Sequence, residues 1–310
     1  MAMFDWLKFF PFSVERDSKH KPTEIRGPYF SKPRLNKWLL GDTSFYFNAP
    51  WSNPVFSFDG SGSAVDAIRP GSANILAKGG WGRVYNNSDG PRDYWNQEVF
   101  YENTWYFTAP WFGGMKEWLT TRAILVSTEN GSKFERSNLF HPRTFEMACS
   151  DYFDHAYGYR RSGKQPHFRG PVNWSVLPLS ESIQGALFDL HFIANGGRDN
   201  PSLTRVVSYP ITAQNFIVIY FDLRGVDLQN EIRAKPLFAL CDSIIDSMHL
   251  KVGKSTQAQW DQVKATCPDM SLTESFGELP WPLIKEKPNK KPKERDITPS
   301  DEAKRMPFKP

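Results

Sequence analysis

The run Phe216-Ile217-Val218-Ile219-Tyr220-Phe221-Asp222, followed by Leu237, Leu240, Cys241, Ile244, Ile245 and Met248 at spacings of three and four, decides the fold class. The first stretch is strand-sized, β-branched and aromatic, and it is apolar without alternation. Those properties suit a strand buried in a sheet. The second stretch carries the period of a helix face over Lys235–Met248, with Pro236 suited to the first helical position. A strand followed by a helix, set among many short strands and frequent turns, predicts an α+β domain. Its expected architecture is one largely antiparallel sheet system with two or three helices packed on it.

Working upstream, strands are expected at Trp174–Leu177, Leu187–Ala194 and Thr204–Ser208, and earlier at Phe45–Phe47, Val55–Phe58, Asn74–Ala77, Val99–Phe107 and Ala123–Val126. Glycine clusters at Gly60–Ser63, Gly79–Gly82 and Gly113–Gly114 mark turns. Pro142–Tyr157 reads as a helix. Pro142 lies in its first turn, Phe145, Cys149, Tyr152 and Ala156 share one face, and Gly158 ends it. Downstream, Thr256–Thr266 is a third, weaker helix. The strand-then-helix unit Phe216–Leu250 resembles the end of small α+β domains found in PsbP-like proteins and some bacterial immunity proteins. That resemblance covers about a tenth of the chain and rests on its apolar pattern.

One segment repeats. Phe45-Tyr46-Phe47-Asn48-Ala49-Pro50-Trp51 returns as Trp105-Tyr106-Phe107-Thr108-Ala109-Pro110-Trp111, identical at five of seven positions. Each copy reads as an aromatic strand stopped by a proline, which has no N–H for the ladder. The sequences between the copies do not match. Equivalent local structure is therefore expected, not a duplicated domain.

Three segments follow from composition: an amphipathic start and extended lead (1–24), one domain (25–275) and a basic tail (276–310). From Pro280 onward the chain has seven prolines and dense charge, a composition that does not repay the entropy of ordering. The net charge of +4 belongs to that tail. Residues 285–310 hold nine Lys/Arg and five Asp/Glu, which leaves 29 of each in the remainder. A neutral body gives no argument for nucleic-acid binding.

No apolar run approaches the roughly 20 residues of a membrane span. The start, Met1–Phe12, carries Asp5 and Lys8 and lacks the basic region and small-residue site of a signal peptide. A cytoplasmic location is expected. The start is expected to dock on the domain's own core, with peripheral membrane contact through residues 1–12 as the alternative. The three cysteines are odd in number and far apart, so buried free thiols are expected and not a disulfide framework.

Several patterns brush against known chemistry. Gly158–Lys164 has the spacing of a phosphate-binding loop, but it follows a helix and continues into Gln165-Pro166, which denies it the strand–loop–helix context. Asp151 and His155 have helical ligand spacing, and Asp151 and Asp154 could serve as paired carboxylates. Solvated helix charges and one capping histidine are the expectation. Cys149 and His155, six apart, fall on different sides of one helix. No metal, cofactor or catalytic set is expected from these residues. The suggestive cluster is aromatic: Trp81, Tyr85, Tyr94, Trp95, Tyr101, Trp105, Trp111 and Trp118, interleaved with Arg83, Arg92 and Asn96. Trp, Tyr and Arg dominate the energetics of interfaces, and turn-rich sequence tends to carry binding residues. The expectation is a non-catalytic protein-binding protein, an adaptor or inhibitor of the kind that includes bacterial toxin-immunity proteins. Its anchors are taken as Trp81, Arg83, Arg92 and Trp95. The alternative is carbohydrate binding or turnover on a Trp/Tyr platform.

Overall fold

The computed structural model describes residues 21–28, 33–50, 74–77, 82–83, 95–110, 115–128, 132–158, 160–162, 165–193, 202–223 and 226–281. In chain order the elements are β1 (Arg34–Leu40), β2 (Thr43–Ala49), β3 (Gly82–Arg83), β4 (Trp95–Thr108), β5 (Met115–Thr128), α1 (Pro142–Phe153), β6 (Arg161–Ser162), β7 (Gln165–Pro166), β8 (Phe168–Pro178), β9 (Gln184–Phe192), β10 (Ser202–Pro210), β11 (Asn215–Leu223), α2 (Glu231–Asp246), β12 (His249–Lys251) and α3 (Lys254–Thr266). Seven strands form one antiparallel sheet in the order β3-β4-β5-β11-β10-β9-β8. A second sheet, β1-β2-β12, is also antiparallel, and the pair β6-β7 stands apart. The α+β architecture is thus present, with α1, α2 and α3 packed on sheets.

The large sheet is the middle layer. Along β11, Ile217, Ile219, Phe221 and Leu223 face one core with Trp38, Phe45 and Phe47 of the small sheet and Leu237, Cys241 and Ile244 of α2. Phe216, Val218 and Tyr220 face the other core, with Phe145, Cys149 and Tyr152 of α1. Burial on both faces is why β11 is apolar without alternation. β5 divides likewise, with Leu119, Ala123 and Leu125 on the α2 side and Ile124 and Val126 on the α1 side.

Polar ties bind the layers. Asp189 on β9 accepts from Arg205 Nε (3.1 Å) and Asn173 Nδ2 (3.0 Å), while Arg205 Nη1 reaches Asp242 of α2 at 2.5 Å. The buried pair Arg233–Glu117 joins α2 to β5 at 3.2 Å. Asp42 caps α3 from the β1–β2 turn, accepting from Ser255 N at 2.6 Å.

The two aromatic repeats are equivalent and they meet. Each ends a strand before its proline, and Phe45, Phe47 and Ala49 are buried as Trp105, Phe107 and Ala109 are. Trp105 Nε1 donates to the Pro50 carbonyl at 3.2 Å, joining the copies across the two sheets. Trp51 and Trp111 lie outside the described residues.

Four expectations change. Asn74–Ala77 is not a strand: Asn74 bridges Leu39 and Ile75–Ala77 is a 3₁₀ turn. A strand not among those expected, β1, precedes Phe45–Phe47, with Asn36, Trp38 and Leu40 alternating into the core. α2 begins at Glu231, so Pro236 lies inside it and forfeits the bond its N–H would give the Ile232 carbonyl. Packing continues beyond 275, since Trp281 is 7% exposed. The expected strand Val55–Phe58, the glycine turns at Gly60–Ser63 and Gly113–Gly114, the amphipathic start and residues 282–310 lie outside the described residues.

Candidate functional site

The α1 face of the large sheet is covered unevenly. α1 has 12 residues, which gives it a length of about 18 Å. β4 and β5 have 14 each, and strands of that length span about 46 Å. One end of the β4–β5 ribbon therefore lies beyond the helix. Side chains two apart share a face, so Trp118, Thr120 and Arg122 continue the row of Ile124 and Val126 into that end, uncovered among the described residues, where Trp118 and Arg122 are exposed. Their partners across the ladder are Tyr106, Thr104 and Glu102.

Trp118 is 42% exposed, the one large aromatic ring so placed among the described residues. Beside it, Arg122 grips Glu102 with two bonds, Nε at 3.1 Å and Nη2 at 3.2 Å. The Thr104 and Thr120 hydroxyls lie 3.0 Å apart. Arg122 is also paired in register with Tyr220 of β11. The Tyr220 hydroxyl donates to Tyr152 at 3.3 Å, and Tyr152 donates to Gln97 at 3.1 Å. Burial raises both phenols well above the ordinary range, so they stay neutral donors.

The chain leaves α1 through a π turn, Asp154–Gly158, which places Tyr157 6.4 Å from Tyr220. A side chain at Gly158 would put its Cβ 2.1 Å from Asp154 Oδ1, so the Asp154 carboxylate would have to move to admit one. Arg160 then stacks over Tyr157 at 5.5 Å and over Phe168 at 5.8 Å. A chain of contacts thus runs Arg160–Tyr157–Tyr220–Arg122, with Trp118 and Tyr106 at its far end.

Of the anchors expected from sequence, Trp95 opens β4 fully buried, and its indole donates to Asp151 Oδ2 at 3.0 Å. A ring so placed supports α1 and presents no surface, which takes Trp95 out of the anchor set. Arg83 lies on β3, its backbone paired with Asn96, at the sheet edge next to Trp95. Trp81 and Arg92 lie outside the described residues. Arg122, Tyr157 and Arg160 were missed by sequence reasoning. The spacing of 118, 120 and 122 with 124 and 126 is the signal that could have found the first, given the helix length.

The acids of α1 are not solvated. Asp151, Asp154 and His155 are buried, because the inner face of α1 meets Trp95 and Phe134 and is broad enough to carry them inward. Asp151 also binds Lys133 Nζ, while His155 Nδ1 lies 2.7 Å from the Asp151 carbonyl oxygen. That oxygen only accepts, so Nδ1 carries the hydrogen. Cys149 donates to Ser208 at 3.5 Å, and burial pushes its thiol up to about 12. A protonated thiol is a poor nucleophile. No group of three or more His, Cys, Asp or Glu among the described residues is arranged to hold a metal. No helix among them is long and apolar enough to cross a membrane. No family model, curated protein or solved structure matches the chain.

Proposed function

We propose that the chain is a non-catalytic binding protein, an adaptor or inhibitor that holds a protein partner, and that the uncovered end of β4–β5 is its contact surface. The observation that carries this reading is the exposed Trp118, opposite Tyr106 in the ladder and on the same face as the exposed Arg122. Trp, Tyr and Arg are the residues that most often dominate interface energetics. A rigid sheet under them supports binding at low entropic cost. Arg83 pairs with Asn96 at the opposite end of β4 and so lies apart from this surface. Toxin-immunity pairs are one class of partner that fits.

The test is capture of a stoichiometric partner from the native host by tagged protein, then titration of variants. Trp118→Ala and Arg122→Ala should each keep the melting temperature, because both side chains are exposed. The better anchor should weaken binding by about 2 kcal/mol, roughly thirtyfold. A partner that binds both variants as tightly as wild type refutes the surface.

A second reading has its own support. Thr104, Thr120, Glu102 and Asp222 continue the face of the exposed Trp118 and half-buried Tyr106 with hydroxyls and carboxylates, a composition suited to stacking and hydrogen-bonding a sugar ring. Saturable quenching of Trp fluorescence by a saccharide, lost in Trp118→Ala, would favour carbohydrate over protein.

A further inference from the structure

After α3 the chain runs from Ser271 to Trp281 with neither helix nor strand, across α1 and the β8 edge of the large sheet. Its two ends are buried, Leu272 at 6% and Trp281 at 7% exposure, while Glu274, Ser275, Gly277, Glu278 and Pro280 between them are exposed. Trp281 and Leu279 form one wall of an apolar groove whose other walls are Cys149, Ser150, Phe153, Pro171, Trp174 and Phe188.

Polar contacts set the register of this strap. Leu272 N donates to Gln184 Oε1 at 3.1 Å and Thr273 N to Glu146 Oε1 at 2.5 Å. Trp174 Nε1 donates to the Thr273 carbonyl at 2.7 Å. Glu278 pairs with Arg169 at 2.6 Å, and Leu279 N donates to the Gly170 carbonyl at 3.1 Å. Phe276 lies 4.9 Å from the Trp174 ring. The seat therefore holds the strap by the Glu278 carboxylate, the Leu279 N–H and Trp281, three residues after the acid.

We propose that this groove is a peptide-docking site whose resident occupant is the strap, and that a partner protein carrying an extended acid-x-x-Trp segment displaces it. The site lies apart from Trp118 and stands whether or not that surface binds. Two buried anchors joined by exposed, irregular chain open locally at lower free energy than a seven-stranded ladder, which loses whole rows of bonds at once. Tethering gives the strap an effective concentration in the millimolar range, so it masks the groove from weak ligands.

Native-state hydrogen exchange on the unmodified full chain is the first test. The amides of Leu272, Thr273 and Leu279 should exchange together, at least about 100-fold faster than those of Val207 and Val218 at the centre of the sheet. Equal protection in strap and sheet overturns the proposal. The second test titrates a labelled peptide of residues 270–281 against full-length wild type and full-length Trp281→Ala. Binding should be at least about tenfold tighter to the variant, whose own strap is loosened, and lost when the peptide lacks its Trp. No binding, or equal binding to both chains, overturns the proposal. Concentration-dependent dimers of wild type that the peptide dissolves would make a second copy the occupant and overturn the assignment to a partner.

Discussion

Burial decides the chemistry of single residues here. Cys149 and Cys241 are fully enclosed, and burial raises both thiols, Cys149 to about 12. Cys267 is only half-buried. Aromatic disulfide reagents at pH 8 should therefore label one thiol per folded chain and three in denaturant; rapid labelling of two in the native state would contradict this packing. His191 gives a pH dependence. Both its ring nitrogens are buried without partners among the described residues, and burial lowers its pKa below 6.5, against the opposing pull of Asp189. The unfolded chain then binds the proton more readily, so stability should fall as pH drops through the window beneath 6.5. His191→Gln should flatten that part of the urea-midpoint profile between pH 5 and 7, and an unchanged slope would exclude His191 as its source. Neither environment is legible in sequence. Trp95 and Trp118 look alike there, yet one is core and one is surface, because only the neighbouring elements determine what lies over each ring.

Elements with a strong internal period were legible. β11 and α1 follow from apolar runs and three–four spacing, since their burial depends on their own pattern. β12 was not, because three residues with a single buried Leu250 carry no period; it forms because β2 offers an edge. The start of α2 was hidden by Pro236, and the π turn after α1 has no sequence signature beyond Gly158. Contacts between elements were equally hidden, and the pair Arg233–Glu117 is the sharpest case. Arg233 is 1% exposed, and its Nε and Nη2 find no partner among the described residues. Removing Glu117 would leave a buried, poorly solvated cation. Glu117→Leu and Arg233→Met should each cost about 3–5 kcal/mol in urea denaturation, while the double variant should recover most of that loss. Additive losses would show that the two side chains are not coupled.

At the scale of the whole molecule, three layers were not foreseen from sequence, because a strand buried on both faces does not reveal what covers either one. The α1 side is covered in part by a helix and then by the strap, so the C-terminal limit of the domain becomes a measurable quantity. Composition alone ended the domain at 275, yet Glu278 pairs with Arg169 and Trp281 closes the groove beside Cys149 and Phe188. Residues 286–310 are polar, charged and proline-rich in sequence. A chain ending after 285 should keep its melting temperature, since such composition contributes little to folding. A chain ending after 270 loses the burial of Leu272, Leu279 and Trp281. Burying each such side chain fully is worth about 1.5–3 kcal/mol before the entropy of ordering the segment is subtracted. The melting temperature should then fall by on the order of 5–10 °C, at about 2–4 °C per kcal/mol for a chain of this size. Calorimetry on the two truncations separates the cases. An equal loss in both would show that residues 286–310 pack on the domain, and no loss in either would show that the strap adds nothing to its stability.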